Sequence, residues 1–418
     1  MNNFSKISQL SVLGLLETLI TPVFTVILTG LVSKSLGAEG FGYWVWFTVV
    51  LSFFNIFTSG LSDWILRLSN TDDEKLLVSR NLVGLLSFNL IITTSVIFVY
   101  SYVGNLSIFW VALSFATISR PFEFVTIAWL KSKKQFVDSV KVSVISRASF
   151  FVPQVILVNL GSDINQVLLF GSFLNLGIIL CIGLKFYDLL RSNVINSLIS
   201  FIRLTYHSRA VFALAITSFF GANVDKIFIQ KQLDVTSLGV YAAGFAVLAS
   251  IHMIISQSTT WLVVYTAQQE EGEMLMPLTF CLILFGFFVS YSLSAAPGVF
   301  VYWLGQDVYE KSAETIDVFC KAIPVYVCTI VPYQVLKGRG SFKVLTFIDI
   351  LNSVLRLMLM YLLWPIGGSV GVAWAVLLSG LFLTLSYLFM LRCYFSRTYL
   401  ILVGGFVCVH FTLLSTEF

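Results

Sequence analysis

FIQKQLDVTSLGVY, residues 228–241, has a counterpart near the start of the chain, where residues 31–44 read LVSKSLGAEGFGYW. Set at an offset of 197, Lys34 meets Lys231, Leu36 meets Leu233, Gly42 meets Gly239 and Trp44 meets Tyr241. Each copy is a short polar break between two long apolar runs. A second pair follows in the same order: Leu130-Lys-Ser-Lys-Lys-Gln-Phe136 and Leu336-Lys-Gly-Arg-Gly-Ser-Phe342 share L-K-x-[KR]-x-x-F at an offset of 206. Gly161 and Gly367 keep that second offset. The change between offsets asks only for a modest insertion in the second half. Three matches in one order indicate an internal duplication, the mark of a membrane transporter built from two related bundles.

Composition fixes the solvent. The 418 residues are 58% hydrophobic and 11% charged, with 39 Phe and a mean hydropathy of +0.92. A soluble domain carries about 25% charged residues, more than twice as many, and no soluble core could hide this much apolar surface. The chain is therefore an all-α polytopic membrane protein. The six Cys (181, 281, 320, 328, 393, 408) lie in or beside apolar runs without C-x-x-C spacing, so they are packing residues, and no metal site or disulfide framework is expected. MNNFSKISQL leads straight into an apolar run with Lys6 ahead of it, and no small-residue cleavage site follows. A retained first span is expected.

Apolar runs long enough to cross a bilayer fall near 9–32, 41–65, 82–103, 107–130, 137–160, 165–187, 207–230, 237–264, 276–303, 314–336, 342–365 and 368–391. That is twelve. A shorter run, 399–415, is either a thirteenth span or an interfacial segment. With the N-terminus in the cytoplasm, the inner connections hold Lys6, Arg67, Lys75, Arg80, Lys131, Lys133, Lys134, Lys185, Arg191, Arg203, Arg209, Lys337, Arg339, Lys343, Arg392 and Arg397. The outer connections hold only Lys34, Lys231 and Lys311. Sixteen against three sets the orientation, since Lys and Arg stay on the cytoplasmic side. The acidic turn at Glu270, Glu271 and Glu273 is also inside, but acidic residues weigh little in this rule.

The chain divides into an N-terminal six-helix bundle (1–187), a linker (188–206), a C-terminal six-helix bundle (207–392) and a tail (393–418). In the linker, Leu190, Val194, Ile195, Leu198, Ile199 and Ile202 recur at helical spacing. They describe either an amphipathic helix lying on the cytoplasmic surface or an extension of span seven. All outer connections are short, which speaks against a membrane polymerase or ligase with an outer catalytic domain. No G-x-x-x-x-G-K-[ST] loop is present, so work must come from a gradient or from the substrate. Basic residues are distributed by topology, which leaves no case for nucleic-acid binding.

Six basic residues remain inside the spans: Arg120, Lys141, Arg147, Lys226, Lys321 and Arg356. A charge at the bilayer centre costs about 2.5–3.5 kcal/mol on insertion scales, so each should meet a watery cavity or a partner. Arg147 lies ten residues into its span, roughly 15 Å deep and thus near the midplane of a core about 30 Å thick. Arg356 is fourteen residues in, just past the middle. Lys141 is shallow enough to snorkel. Arg120 and Glu123 share a face three apart, with Pro121 a kink between them; Asp317 and Lys321 are four apart, and Asp349 and Arg356 seven. Asp225 and Lys226 are adjacent and point about 100° apart, so they are not expected to neutralise each other. Arg147 has the weakest case for a local partner and is the leading anion contact, because a guanidinium binds phosphate in a planar fork and stays charged. Glu17, five residues before Pro22, and Asp63 are acids that can bind a proton or sodium ion and couple transport to a gradient. His252 can titrate near neutrality, though a lone His in an apolar span is more often packing. The alternative for every charged pair is a salt bridge that holds helices together.

Leu36-Gly-Ala-Glu-Gly-Phe-Gly-Tyr-Trp44, Asp225-Lys-Ile-Phe-Ile229 running into Leu238-Gly-Val-Tyr241, Leu336-Lys-Gly-Arg-Gly340 and Gly367-Gly-Ser-Val-Gly-Val-Ala373 resemble the polysaccharide-transporter branch of the multidrug/oligosaccharidyl-lipid/polysaccharide exporter superfamily. The specific likeness is to Wzx-type O-antigen flippases, and it runs across spans one to twelve. The resemblance implies two pseudo-symmetric six-helix bundles around a central cavity that opens alternately inward and outward. Its cargo would be an oligosaccharide on undecaprenyl diphosphate, moved to the periplasmic leaflet of the bacterial inner membrane, with proton or sodium antiport. Other polysaccharide-assembly membrane proteins would be its neighbours. Arg147, Arg120, Lys226, Lys321 and Arg356 would meet the diphosphate; Glu17, Glu123, Asp225, Asp317 and Asp349 would be ion-coupling groups or charge partners. No catalytic residue and no cofactor is implied. A drug/cation antiporter of the same fold would favour an acidic or aromatic cavity. A flippase for another polyprenyl-linked glycan, such as a peptidoglycan precursor, is the nearer alternative.

Overall fold

The computed structural model describes the backbone of residues 2–65, 72–102, 108–133, 135–184, 193–259, 275–390 and 405; the side chains of residues 2–21, Asp63 and some others in these stretches lie outside the described set. Thus Glu17, Asp63, the acidic turn at 270–273 and, apart from Gly405, the 399–415 run are not described. Among the described residues all regular structure is helical: α1 Asn2–Phe54, α2 Ile56–Ile65, α3 Asp72–Tyr102, α4 Ile108–Ser132, α5 Phe136–Asn159, α6 Ile164–Leu184, α7 Val194–His207, α8 Arg209–Gln232, α9 Val235–Ser258, α10 Leu275–Ser294, α11 Pro297–Leu304, α12 Gln306–Gly338 and α13 Phe342–Met390.

Two of these helices are too long to be single crossings. At 1.5 Å per residue, α13's 49 residues would reach roughly 74 Å, more than twice the hydrocarbon core. It breaks at Gly368, whose φ of 54° lies in the left-handed region that favours glycine. The two halves fold back on each other, as Arg356 Nε donating to Ser379 Oγ at 2.9 Å and Tyr387 to Asp349 at 3.2 Å require. Similarly, α1 breaks at Gly37 (φ 68°), and Asn55 marks a 50° bend before α2. Eight described helices, or nine with the bent pair, are long and apolar enough to cross a membrane. The protein is a multi-pass membrane protein.

Some expected spans end elsewhere. The polar break expected over 33–40 shrinks to Gly37 itself, with helix on either side. The run 276–303 is not one helix: it divides at Ala295–Ala296, and Pro297 opens α11, where a missing N–H costs nothing. The tenth span starts early, at Gln306, because Gly305 (φ 84°) ends α11. The third repeat match shifts by one residue. Gly161 has φ 74°, but in the second half the left-handed residue is Gly368, not Gly367.

The chain forms two compact units. One comprises residues 1–36 and 43–219, the other residues 37–42 and 220–418. In the first, α4 is the central helix, packed by α2, α3, α5 and α6. Polar side chains tie its neighbours: Asn175 Nδ2 donates to Ser146 O at 2.7 Å and to Ser149 Oγ at 2.9 Å. The linker forms α7, capped by Asn193, whose side chain accepts from Ile195 N. It lies on α3 through Ser197 and Phe201, so close that a Cβ on Gly84 would sit 2.3 Å from Ser197 O. Ile195, Ile199 and Ile202 point away from the protein.

In the second unit, α12 is central, against α9, α10 and α13. Buried hydroxyls on its neighbours cap its backbone carbonyls: Ser290 donates to Cys320 O and Thr384 to Val325 O. Residues 37–42 belong here because they cross the start of α9 at the closest approach made by any described glycine. A Cβ on Gly42 would fall 1.9 Å from Val235 O, and one on Gly239 would fall 1.8 Å from Ala38 O. Ala38 and Val235 are themselves 197 apart, as are Gly42 and Gly239. Val235, which Gly42 meets, is thus the repeat counterpart of Ala38, which Gly239 meets.

Candidate functional site

Each unit buries a group of charges deep in its spans, and each group holds two cations and one carboxylate. In the first unit the carboxylate is Glu123 on α4, whose side chain has no exposure. Arg120, one turn earlier, gives it an ion pair at 2.8 Å, NH1 to Oε2, and lays its guanidinium over the Phe150 ring, 4.6 Å from the centroid. From α5, Arg147 brings Nε to 3.9 Å from Oε1. The sequence assigned Arg147 no evident local partner. The structure supplies one in Glu123; a partner on a neighbouring helix leaves no spacing signal along the chain. Both guanidinium groups keep some exposure, 13% for Arg120 and 17% for Arg147. Among the described residues, none donates a hydrogen bond to Glu123 Oε1.

The second unit's group is built differently. Asp225, on α8, accepts from the Tyr241 hydroxyl on α9. Lys226 Nζ lies 3.4 Å from both Asp225 oxygens, donates to Ala222 O at 2.6 Å and sits 3.7 Å above the Phe245 ring. The expectation that these adjacent residues do not neutralise each other fails. Their Cβ atoms diverge, but the four-carbon lysine stem curls back over its own turn. On α13, Arg356 spreads its nitrogens over three partners: Nε to Ser379, NH2 to Tyr326 Oη at 2.8 Å and NH1 to the Gly221 carbonyl. It is 4% exposed. A guanidinium so engaged joins α8, α12 and α13 like a bolt. Asp349, expected to share its face, accepts from Tyr387.

Lys321 pairs with Asp317 at 2.9 Å on α12, the acid half exposed and the amine 16%. Lys141 pairs with Asp138 at 3.3 Å, and both are exposed. His252 is half-buried beside the Tyr326 ring, 6.4 Å between centroids. Phe150, Tyr241, Phe245, Tyr326 and Ser379 were not singled out as site residues. Tyr241 stands in the repeated motif and could have been found there; the others carry no sequence signal.

A profile of polysaccharide biosynthesis proteins matches residues 31–279, more than half of the chain. The chain belongs to that family. No curated protein resembles it at the level of sequence. Solved structures do resemble it in fold. The lipid II flippase MurJ in an inward closed conformation superposes with a TM-score of 0.71 at 13% identity, over 97% of this chain and 93% of that one. The MATE multidrug transporter DinF-BH gives 0.59 at 14% identity, over 93% and 96%. An inward-facing multidrug resistance MATE transporter of the MOP superfamily gives 0.58 at 13%, over 90% and 94%. This member of the polysaccharide biosynthesis family therefore shares its fold with a lipid II flippase and with MATE multidrug transporters. The fold alone does not choose between their cargoes, and the charges inside the spans carry that argument.

Proposed function

We propose that the protein flips undecaprenyl-diphosphate-linked O-antigen repeat units from the cytoplasmic to the periplasmic leaflet of the bacterial inner membrane, by alternating access, with its N-terminus in the cytoplasm. The observation that carries the reading is the net-positive pair Arg120 and Arg147, held at mid-span depth around one carboxylate and still partly exposed. A buried excess of positive charge is costly in a membrane and suits a diphosphate headgroup, which two guanidinium forks can hold. Membership of a polysaccharide biosynthesis family supports a glycan cargo. Lys226 and Arg356, bound up in contacts between helices, act in this reading as structural ties. Lys321 is a secondary contact. Residues 1–187 and 207–392 are the two bundles and 188–206 their cytoplasmic connection; a proton or sodium gradient supplies the work.

A second reading, a flippase for a peptidoglycan precursor, is favoured by the fold likeness to the lipid II flippase. A strain deleted for the gene separates the two. Loss of surface polysaccharide with normal growth supports the O-antigen cargo, whereas lysis supports the peptidoglycan one. Complementation with Arg147→Ala should fail and with Arg147→Lys should be partial, since lysine keeps the charge but not the fork. Full rescue by Arg147→Ala at equal protein level would remove the headgroup assignment.

A further inference from the structure

Glu123 is held unevenly. One oxygen has a short charge-assisted bond to Arg120; the other faces Arg147 at 3.9 Å, inside ion-pair range but beyond a hydrogen bond, and accepts none from any described group. A fully buried carboxylate oxygen left in that state is unusual, since burying an acceptor without a donor is unfavourable. The geometry points to Glu123 as an internal counter-anion that competes with the cargo's diphosphate for Arg147. With the site empty, a movement of about 1 Å would bring Arg147 into hydrogen-bond range of Oε1. With a phosphate present, Arg147 turns to it, and Glu123 remains anchored through Arg120. The carboxylate then has a task after translocation: it takes Arg147 back and so lets the headgroup go. Glu123 is a positioning residue for release, and the inference rests on the headgroup reading given above.

The sign of the change in affinity tests this. Full-length protein in lipid nanodiscs is titrated with inorganic pyrophosphate, and separately with undecaprenyl diphosphate, by calorimetry. Glu123→Gln should bind pyrophosphate tenfold or more tightly than the parent and should flip lipid more slowly. Glu123→Asp, which keeps the charge, should restore the parent's affinity. Neutralising a carboxylate remote from the anion site would leave the affinity for pyrophosphate unchanged. Because Glu123→Gln leaves two cations without a counter-charge and can fail to fold, a second comparison uses a double variant that has the parent's net charge. Arg120→Gln/Glu123→Gln should bind more tightly than Arg120→Gln alone. Unchanged or weaker binding in both comparisons, with Arg147→Ala abolishing it, overturns the competition while leaving the headgroup site intact. No binding of either ligand by the parent protein overturns the headgroup reading, and this inference with it. Binding of undecaprenyl diphosphate but not pyrophosphate still supports the competition if Glu123→Gln tightens it, and assigns the site to the lipid-borne group.

Discussion

The crossing of residues 38–42 with 235–239 gives a prediction whose sign differs from what helix propensity expects. Replacing Gly239 by Ala places a methyl carbon 1.8 Å from the Ala38 carbonyl oxygen; replacing Gly42 places one 1.9 Å from Val235 O. Ordinary contact begins near 3.4 Å, so the two segments must separate by about 1.6 Å, and backbone atoms offer no flexible side chain to swing aside. Overpacking of this kind costs about 1–3 kcal/mol. Both glycines have helical surroundings, and Ala in a helix is favoured over Gly by about 0.5–1 kcal/mol, so local propensity alone predicts stabilisation. The two substitutions demand the same displacement. Once one has forced it, the second costs little, and the pair should couple by about 1–3 kcal/mol. Detergent-solubilised single and double variants would be followed by thermal unfolding at one scan rate, since such transitions are often irreversible. Each kcal/mol corresponds to about 2–4 °C for a unit of this size. We expect each single variant to unfold about 3–10 °C below the parent, and the double variant well short of the summed loss. Single variants that match or exceed the parent, or losses that simply add, would refute the shared contact.

Other consequences concern the charges and one cap. Arg147→Ala should lower diphosphate affinity about 10- to 100-fold, the value of a charge-assisted contact, with little change in unfolding temperature. Arg356→Ala should behave in the opposite way. Removing a cation that joins three helices costs about 3–5 kcal/mol, seen as a fall in folded protein by fluorescence-detected size exclusion, whereas Arg356→Met should recover part of it. Asp234, outside the spans between α8 and α9, accepts from the Ser237 backbone N–H and from its hydroxyl, and these bonds hold its carboxyl below the usual carboxylate range. Its folded value is thus depressed, so the stabilisation is present above the unfolded carboxylate range and is lost as pH falls through the folded value. Asp234→Ala should cost about 1 kcal/mol at neutral pH, as loss of a helix cap does, and less in strong acid. Asp234→Asn should retain the cap and flatten that acid dependence.

Much of the architecture was legible because membrane insertion imposes long apolar runs that no other constraint produces. The matched stretches around Gly42 and Gly239 were legible as motifs, but their contact was not. Interruptions were harder to read. Gly37 and Gly368 stop helices through a single left-handed residue, and Ala295–Ala296 divides an apolar run that hydropathy reads as continuous. The charged residues were found by depth, and Arg120 with Glu123, and Lys321 with Asp317, by their spacing on one helix. Arg147 with Glu123 and Arg356 with Ser379 and Tyr326 were not, because periodicity reports which residues share a helix face and is silent on which helix that face meets.

The chain alone determined the class and much of the span order, since both follow from transfer of apolar surface into lipid. Only the tertiary structure divided the buried cations into two kinds. Arg356 and Lys226 are consumed by bonds within the protein, while Arg120 and Arg147 share one carboxylate and remain in part exposed. The reason is physical. Depth in the membrane sets the cost of a charge, but what offsets that cost is a partner in space, and partners are brought together by packing between helices far apart along the sequence.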